Sequence, residues 1–245
     1  MFELPIIGIF VGFLSGFFGV GGGMVLIVIL LHLNFSIKEA ISISIMQMVF
    51  SSLYGSFLNF RKAKEFLYDG LIIGIGGFLG GLQSGFIISS VSDGFLKFLL
   101  ICILIFSIIK IYQTNTQIQL TAKKESNLAL ISIGFIVGIL STSVGVGGSL
   151  ILAPILISFL KYDLKSATAL GLFFVFFSSI AGFISLTYHG QMLFEKGLIV
   201  AIFSLVGVYF GIKVKKGIKQ NSYKKYILAL NIIILINMII KFFND

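Results

Sequence analysis

Two stretches of the chain are nearly the same peptide, and each combines a cluster of glycines with an apolar run. Residues 12–30 read GFLSGFFGVGGGMVLIVIL, and residues 138–156 read GILSTSVGVGGSLILAPIL. Consecutive glycines interrupt a helix, because glycine lacks the side chain that restricts the backbone of other residues. The repeat therefore predicts two similar halves, each with one glycine-broken segment.

The composition places these halves in a membrane. Hydrophobic residues make up 58% of the chain and charged residues 11%, and apolar runs of helix-spanning length recur throughout. The net charge of +9 comes from cations between these runs, where cytoplasmic loops retain them, so nucleic acid is not an expected partner. We expect an all-α polytopic membrane protein whose surroundings are the lipid bilayer.

The two halves stay in register beyond the glycines, with an offset of about 127 residues. The further matches are 38–40 with 165–167, 50–55 with 177–182, and 70–72 with 197–199. We predict a first membrane repeat at 1–113, a polar linker at 114–126 and a second membrane repeat at 127–245. The expected apolar segments are 5–33, 36–60, 67–91, 94–113, 127–160, 164–188, 194–217 and 222–243.

Two topologies fit these eight segments. If all eight cross the bilayer, the Lys and Arg residues divide eight against ten and indicate no orientation. If segments 5–33 and 127–160 instead turn at their glycines and leave on the side they entered, the division is fourteen against four. The four are Lys38, Lys97, Lys196 and Lys241.

The uneven division favours the re-entrant topology, because cytoplasmic loops are rich in Lys and Arg. Loops 61–65, 110–124 and 213–225 would then be cytoplasmic, in a bacterial inner membrane. Each half would cross three times, so the halves would form two inverted repeats, a common plan of secondary transporters.

The glycine clusters suit an anion. Glycine backbone lets successive N–H groups converge, and a helix that starts there adds unpaired N–H donors and the positive end of its dipole. Nearby serine hydroxyls add donors. The candidate substrate-binding residues are Ser15, Gly19, Gly21, Gly22, Gly23, Ser51, Ser52, Ser141, Gly145, Gly147, Gly148, Ser149, Ser178 and Ser179.

Other interpretations of the same residues stay open. Spaced glycines often mark close packing between membrane helices, and a serine in a helix often bonds its own preceding carbonyl. Gln47 and Asn59 are additional candidate polar contacts. His32 and His189 fall at segment ends, which suits either an interfacial position or a role in gating.

Some chemistry is not expected. No acidic or basic residue lies well inside an apolar segment, so a proton relay has no candidate. The chain has one cysteine, Cys102, no phosphate-binding loop and no His/Asp/Glu cluster, so we expect no enzyme activity, no catalytic residue, no metal and no cofactor.

The doubled pattern Gly-x-Leu-Ser-x-x-x-Gly-Val-Gly-Gly-(Gly/Ser) resembles that of the TauE/SafE sulfite exporter family, also called TSUP permeases. The resemblance covers nearly the whole chain, and it implies a transporter of sulfite or an organosulfonate. By this resemblance, the residues of the family's motif correspond in this chain to Ser15, Gly19, Gly21, Gly22, Ser141, Gly145, Gly147 and Gly148. The first copy lacks proline, with Val28 opposite Pro154, so the two half-sites need not be equivalent.

The predicted function is export of a small sulfur-containing anion bound between the two broken segments near the membrane midplane. Import of such anions and a non-transporting membrane scaffold subunit are the alternatives. The identity of the anion, its coupling ion and the oligomeric state stay open, with a homodimer among the alternatives.

Overall fold

The described residues fold mainly into α-helices. The computed structural model describes residues 3–19, 21–63, 67–113, 126–158, 162, 164–215, 217–218 and 220–244. The helices are α1 (Glu3–Phe18), α2 (Gly23–His32), α3 (Ile37–Ala63), α4 (Leu67–Gly81), α5 (Ser84–Ser90), α6 (Asp93–Gln113), α7 (Asn127–Ser143), α8 (Ser149–Ser158), α9 (Leu164–Tyr188), α10 (Phe194–Lys215) and α11 (Gln220–Asn244). Apart from Ser126, the predicted linker lies outside the described residues.

Within the residues that the structure describes, six stretches are long and apolar enough to cross a membrane. They are Ile37–Leu58, Tyr68–Ser90, Asp93–Gln113, Leu170–Tyr188, Phe194–Lys215 and Ser222–Phe243. Each falls within or overlaps one of the predicted segments. The chain is therefore an all-helical, multi-pass membrane protein, as its composition predicts.

Shorter helices occupy the two glycine-containing segments. Helices α1 and α2 lie in the first, with residues 19–22 between them, and α7 and α8 lie in the second, with residues 144–148 between them. We call residues 19–22 the first tip and residues 144–148 the second tip. Val20 is outside the described residues.

Glycines bring two pairs of helices into backbone contact. A Cβ at Gly12 of α1 would overlap the Ser204 carbonyl of α10, and a Cβ at Gly16 would overlap the Val208 carbonyl. In the same way, a Cβ at Gly134 of α7 would overlap the Ile73 carbonyl of α4. Membrane helices associate closely where small residues let their backbones approach.

These contacts fix the relative directions of the helices. Along α1 and α10, Gly8 lies against Val200 and Gly16 against Val208, so the two helices run parallel. Helices α4 and α7 are also parallel, since Ile73 lies beside Gly134 and Gly77 beside Gly138.

Two other pairs run antiparallel. In α3 and α9, Gly55 lies near Leu172 while Gly182 lies near Ile45. In α6 and α11, the Lys224 ammonium donates to the Tyr112 carbonyl (3.0 Å), and the buried Asn231 amide donates to the Ser107 hydroxyl (3.2 Å). Each of these two pairs joins a helix of the first half to its counterpart in the second.

The second glycine-containing segment begins and ends beside the start of α4. Asn127, at the start of α7, donates a hydrogen bond to the Tyr68 hydroxyl (2.9 Å). Tyr162, which follows α8, donates to the carboxylate of Asp69. Burial and this hydrogen bond raise the pKa of Tyr162, so the phenol keeps its proton at physiological pH.

The first glycine-containing segment also begins and ends at one end of the bundle, the end opposite the start of α4. Glu3, at the start of α1, and His32, at the end of α2, line one apolar groove that α11 completes. We call this the Lys38 end, because Lys38 follows at the start of α3 and pairs with Asp93 (3.9 Å). We call the other end, where α10 finishes, the Lys215 end.

Replacing Gly12 by alanine tests the backbone contact between α1 and α10. Because the new Cβ would overlap the Ser204 carbonyl, we expect Gly12→Ala to lower stability by about 1–3 kcal/mol and to lower the Tm in detergent. Gly94→Ala is the control, since a Cβ at Gly94 meets nothing within 4 Å. Equal melting temperatures for the two variants would contradict the packing.

Candidate functional site

Each tip has the backbone conformation that only glycine adopts without strain. Gly19, Gly21 and Gly22 of the first tip have φ of 70°, 78° and 76°, and Gly145 and Gly147 of the second have 67° and 79°. Left-handed backbone at these positions cannot continue an α-helix, so α1 and α7 end there.

Helices α2 and α8 start directly from the tips. The first intrahelical bond of α2 runs from the Leu26 N–H to the Gly22 carbonyl (3.2 Å), and that of α8 runs from the Leu152 N–H to the Gly148 carbonyl (2.8 Å). The N–H groups ahead of Leu26 therefore have no acceptor within α2, whereas at the start of α8 the Ile151 N–H also bonds the Gly148 carbonyl (3.1 Å). A helix start of this kind carries partial positive charge.

The start of α2 contacts the second tip in the buried centre of the bundle. The fully buried Ser44 of α3 donates to the Gly145 carbonyl (2.6 Å). A Cβ at Gly23 would overlap that same carbonyl and would lie 2.5 Å from the Ser44 hydroxyl. Residue 23 is therefore a glycine because the second tip occupies the space of a side chain.

Met48 and Val175 lie between the tips. The Met48 sulfur is the nearest atom to a Cβ built at Gly147 (2.5 Å), and it also approaches Gly21 and Gly23. A Val175 methyl is 3.1 Å from a Cβ at either Gly21 or Gly147. Both side chains are fully buried, and both hold equivalent positions in the two halves. The sequence analysis missed them, although they stand three residues before the repeated serine pairs.

The serine pairs bond mainly to their own helices. Ser52 donates to the Met48 carbonyl, Ser178 to the Val175 carbonyl (3.3 Å) and Ser179 to the Phe176 carbonyl (3.2 Å). Ser51 differs, because its hydroxyl also reaches the Gly21 carbonyl (3.3 Å). Of the four serines, Ser51 is therefore the one that contacts a tip.

Several buried polar groups near the tips have no hydrogen-bond partner among the described residues. They are the hydroxyls of Ser15, Ser143 and Ser149 and both the nitrogen and the oxygen of the Gln47 amide. All four side chains are at most 1% exposed. Buried polar groups are almost always paired, so such a cluster indicates a place where water or a ligand binds. Ser141 bonds the Gly138 carbonyl instead (3.4 Å).

One cation lies close to the first tip. The Lys215 ammonium donates to the Thr168 hydroxyl (3.1 Å) and lies over the Tyr223 ring, 5.1 Å from its centroid. It is also 3.4 Å from a Cβ built at Gly19. Tyr223 in turn donates to the Phe18 carbonyl (2.6 Å), which ends α1. The first tip therefore faces a positive charge on the side of the Lys215 end.

The two histidines lie at exposed helix ends, away from the tips. The Nδ1 atoms of His32 and His189 bond the carbonyls four residues earlier, of Val28 (2.9 Å) and Ser185 (2.8 Å). Cys102 is exposed on α6, within an apolar groove beside α7 and α8. Within the part of the chain that the structure describes, no three His, Cys, Asp or Glu side chains group as metal ligands would.

The fold and the buried glycine tips define a multi-pass membrane protein with a polar centre enclosed by helices. Comparison with known proteins names its family: the family Sulfite exporter TauE/SafE matches residues 4–238, and the chain belongs to it.

Named relatives agree on the class. The chain is 29% identical over 231 residues to a probable membrane transporter protein of Methanocaldococcus jannaschii, covering 88% of this chain and 86% of the relative. It is 25% identical over 261 residues to the probable membrane transporter protein YunE of Bacillus subtilis, covering 95% of this chain and 93% of YunE. No solved structure matches the chain significantly. The family is one of membrane transporters and not of enzymes.

Proposed function

We propose that this protein exports a small sulfur-containing anion, such as sulfite or an organosulfonate, across a bacterial cytoplasmic membrane. One observation carries the proposal: the two glycine tips lie on either side of Met48 and Val175 in the buried centre of the bundle, near polar side chains that have no hydrogen-bond partner among the described residues. The family to which the chain belongs supports a sulfur-containing anion as the substrate.

The chemistry of the tips suits an anion. The start of α2 offers backbone N–H donors and partial positive charge, and Ser15 and Gln47 add neutral donors. The site has no carboxylate among its described residues that would repel an anion. Backbone and amide donors of this kind bind oxyanions without a fixed counter-charge.

Helix directions support two inverted repeats, at 1–113 and 127–245. If both halves had the same orientation, equivalent helices would run parallel, whereas α3 with α9 and α6 with α11 run antiparallel. The positions of Glu3 and His32 at one end, and of Asn127 and Tyr162 at the other, support re-entrant segments that enter from opposite faces.

The charges support an orientation. On the re-entrant topology, fourteen of the eighteen Lys and Arg residues belong to the Lys215 end, which we propose to be cytoplasmic. The three basic loops assigned to this end include lysines outside the described residues: Lys64, Lys123, Lys124, Lys216 and Lys219.

The conformation supports alternating access. Ser15, Gln47, Met48 and Ser149 are all buried, so the proposed site is closed to both faces. Met48 separates the tips with a flexible thioether, which can change rotamer at small cost. Opening toward one face at a time would let an anion reach the tips.

Export needs no coupling ion on energetic grounds. In a cell that is negative inside, an anion gains roughly 2.3 kcal/mol per charge per 100 mV when it leaves. Since no acidic or basic residue lies well inside an apolar segment, the membrane potential is the driving force that we propose.

The first test measures sulfite flux in proteoliposomes under an imposed potential. We expect sulfite to move toward the positive side and to be slowed by the competitors thiosulfate and taurine, with sulfate as a third competitor that reports on selectivity. Flux that ignores the sign of the potential would contradict a uniporter. Absence of flux for every anion would support the scaffold alternative, and vesicles of opposite orientation would separate export from import.

A second prediction concerns the tips. We expect Gly21→Ala and Gly147→Ala to reduce flux at least about tenfold, because φ near +78° strains any L side chain and the new methyl meets Val175 or Met48. Gly190→Ala is the matched control: Gly190 also has positive φ (66°), but a Cβ there meets nothing within 4 Å. Equal losses in all three variants would show that backbone strain alone, and not the tips, limits flux.

A third prediction concerns topology. In a Cys102→Ala background, we expect single cysteines at Glu3 and at Asn34 to be labelled by a membrane-impermeant thiol reagent from the same face, and a single cysteine at Tyr112 from the opposite face. A cysteine at Asn127 should share the face of Tyr112. Labelling of positions 3 and 34 from opposite faces would contradict the re-entrant first segment.

A further inference from the structure

Among the buried polar side chains without a hydrogen-bond partner, Gln47 has two unpaired atoms. Its side chain is 0% exposed, and neither the amide nitrogen nor the amide oxygen has a partner among the described residues. An unpaired buried amide is costly unless a ligand or water completes its hydrogen bonds. This group therefore needs an explanation that the protein's own packing does not supply.

The position of Gln47 on α3 directs it toward the tips. It follows Ser44 by three residues and precedes Ser51 by four, so the three share one face of the helix. Ser44 bonds the Gly145 carbonyl of the second tip, and Ser51 reaches the Gly21 carbonyl of the first. The amide thus lies on the face of α3 that contacts both tips.

The second half has a phenyl ring in the equivalent place. With the offset of 127 residues, Gln47 corresponds to Phe174, which is 1% exposed. A Cβ at Gly148 would overlap the Phe174 ring, so the ring packs directly over the start of α8. The half-site built on the second tip is therefore filled by an apolar side chain.

The backbone N–H groups of the two tips also differ in whether they already have a hydrogen-bond acceptor. In the second tip the N–H groups of Gly145 and Val146 bond the carbonyls of Thr142 and Ser141, and the Ser149 N–H bonds the Gly147 carbonyl. Among the residues of the first tip that the structure describes, the Gly19 N–H alone makes such a bond, to the Ser15 carbonyl. Val146 corresponds to Val20, which lies outside the described residues, so the difference is between Ser149 and Gly23, whose N–H has no backbone acceptor among the described residues.

We propose that the anion binds at the first tip alone, with the Gln47 amide nitrogen and the Ser15 hydroxyl as its side-chain donors, and that Phe174 keeps the second tip closed. This proposal rests on the proposed function. It makes Gln47 a specificity-determining residue, because a neutral donor of fixed position selects an oxygen of the anion.

The test compares Gln47→Leu with two controls in proteoliposomes and in detergent. Leucine has a similar volume and removes the unpaired amide, so we expect the Tm to stay equal or rise while the KM for sulfite rises about ten- to a hundredfold. Phe174→Leu should lower the Tm and leave the KM within about twofold. Asn231→Leu removes another buried amide, between α6 and α11, and should likewise leave the KM unchanged.

The outcomes separate this proposal from the proposed function. Sulfite-dependent stabilisation of the unmodified protein in detergent serves as a second readout, and Gln47→Leu should abolish it while Phe174→Leu keeps it. If the unmodified protein moves and binds sulfite but Gln47→Leu keeps its KM, this proposal alone is wrong. If the unmodified protein neither moves nor binds any anion, the proposed function is wrong and this proposal falls with it. A KM that rises equally for Phe174→Leu would contradict binding at the first tip alone.

Discussion

Backbone contact between helices of different halves is the constraint on which the rest of this structure depends. Glycines in α1 and α10, and in α4 and α7, remove the side chains that would keep these helices apart. In a bilayer, burial of apolar side chains gives little preference for a neighbouring helix over lipid, so close van der Waals packing must hold the bundle together. The first helix of each half is thereby fixed against the other half, and each glycine tip is carried into the centre.

The centre that results is polar in its backbone and largely apolar in its side chains. Met48 and Val175 separate the tips, while the turns themselves expose carbonyls to Ser44 and Ser51. Irregular backbone survives at this depth because protein surrounds it on all sides. The site gains its polarity from the chain itself, so few ionisable groups are needed inside the membrane.

The sequence predicted where the helices and turns lie better than it predicted which helices pack together. Six spans could be located because apolar runs of that length have one common use, and the glycine turns could be located because few other sequences permit positive φ. Packing partners could not be predicted, since a membrane helix is equally apolar toward lipid and toward protein. Serine hydroxyls are ambiguous for a related reason: Ser178 and Ser51 occupy equivalent positions, yet only Ser51 also reaches a tip carbonyl. The unpaired amide of Gln47 could be recognised only once its surroundings were known.

The pairing of α1 with α10 has a consequence for biosynthesis. Helix α1 leaves the ribosome well before its partner α10, which begins at Phe194, so every helix between them must be made before the contact can form. Until then the groove of small residues on α1 has no matching helix from the same chain. Insertion and assembly are consequently separate events. Until α10 is inserted, α1 is surrounded by lipid or by the insertion machinery. Helices α4 and α7 lie closer in the chain, with α5 and α6 between them, so this pair can form before α1 docks against α10.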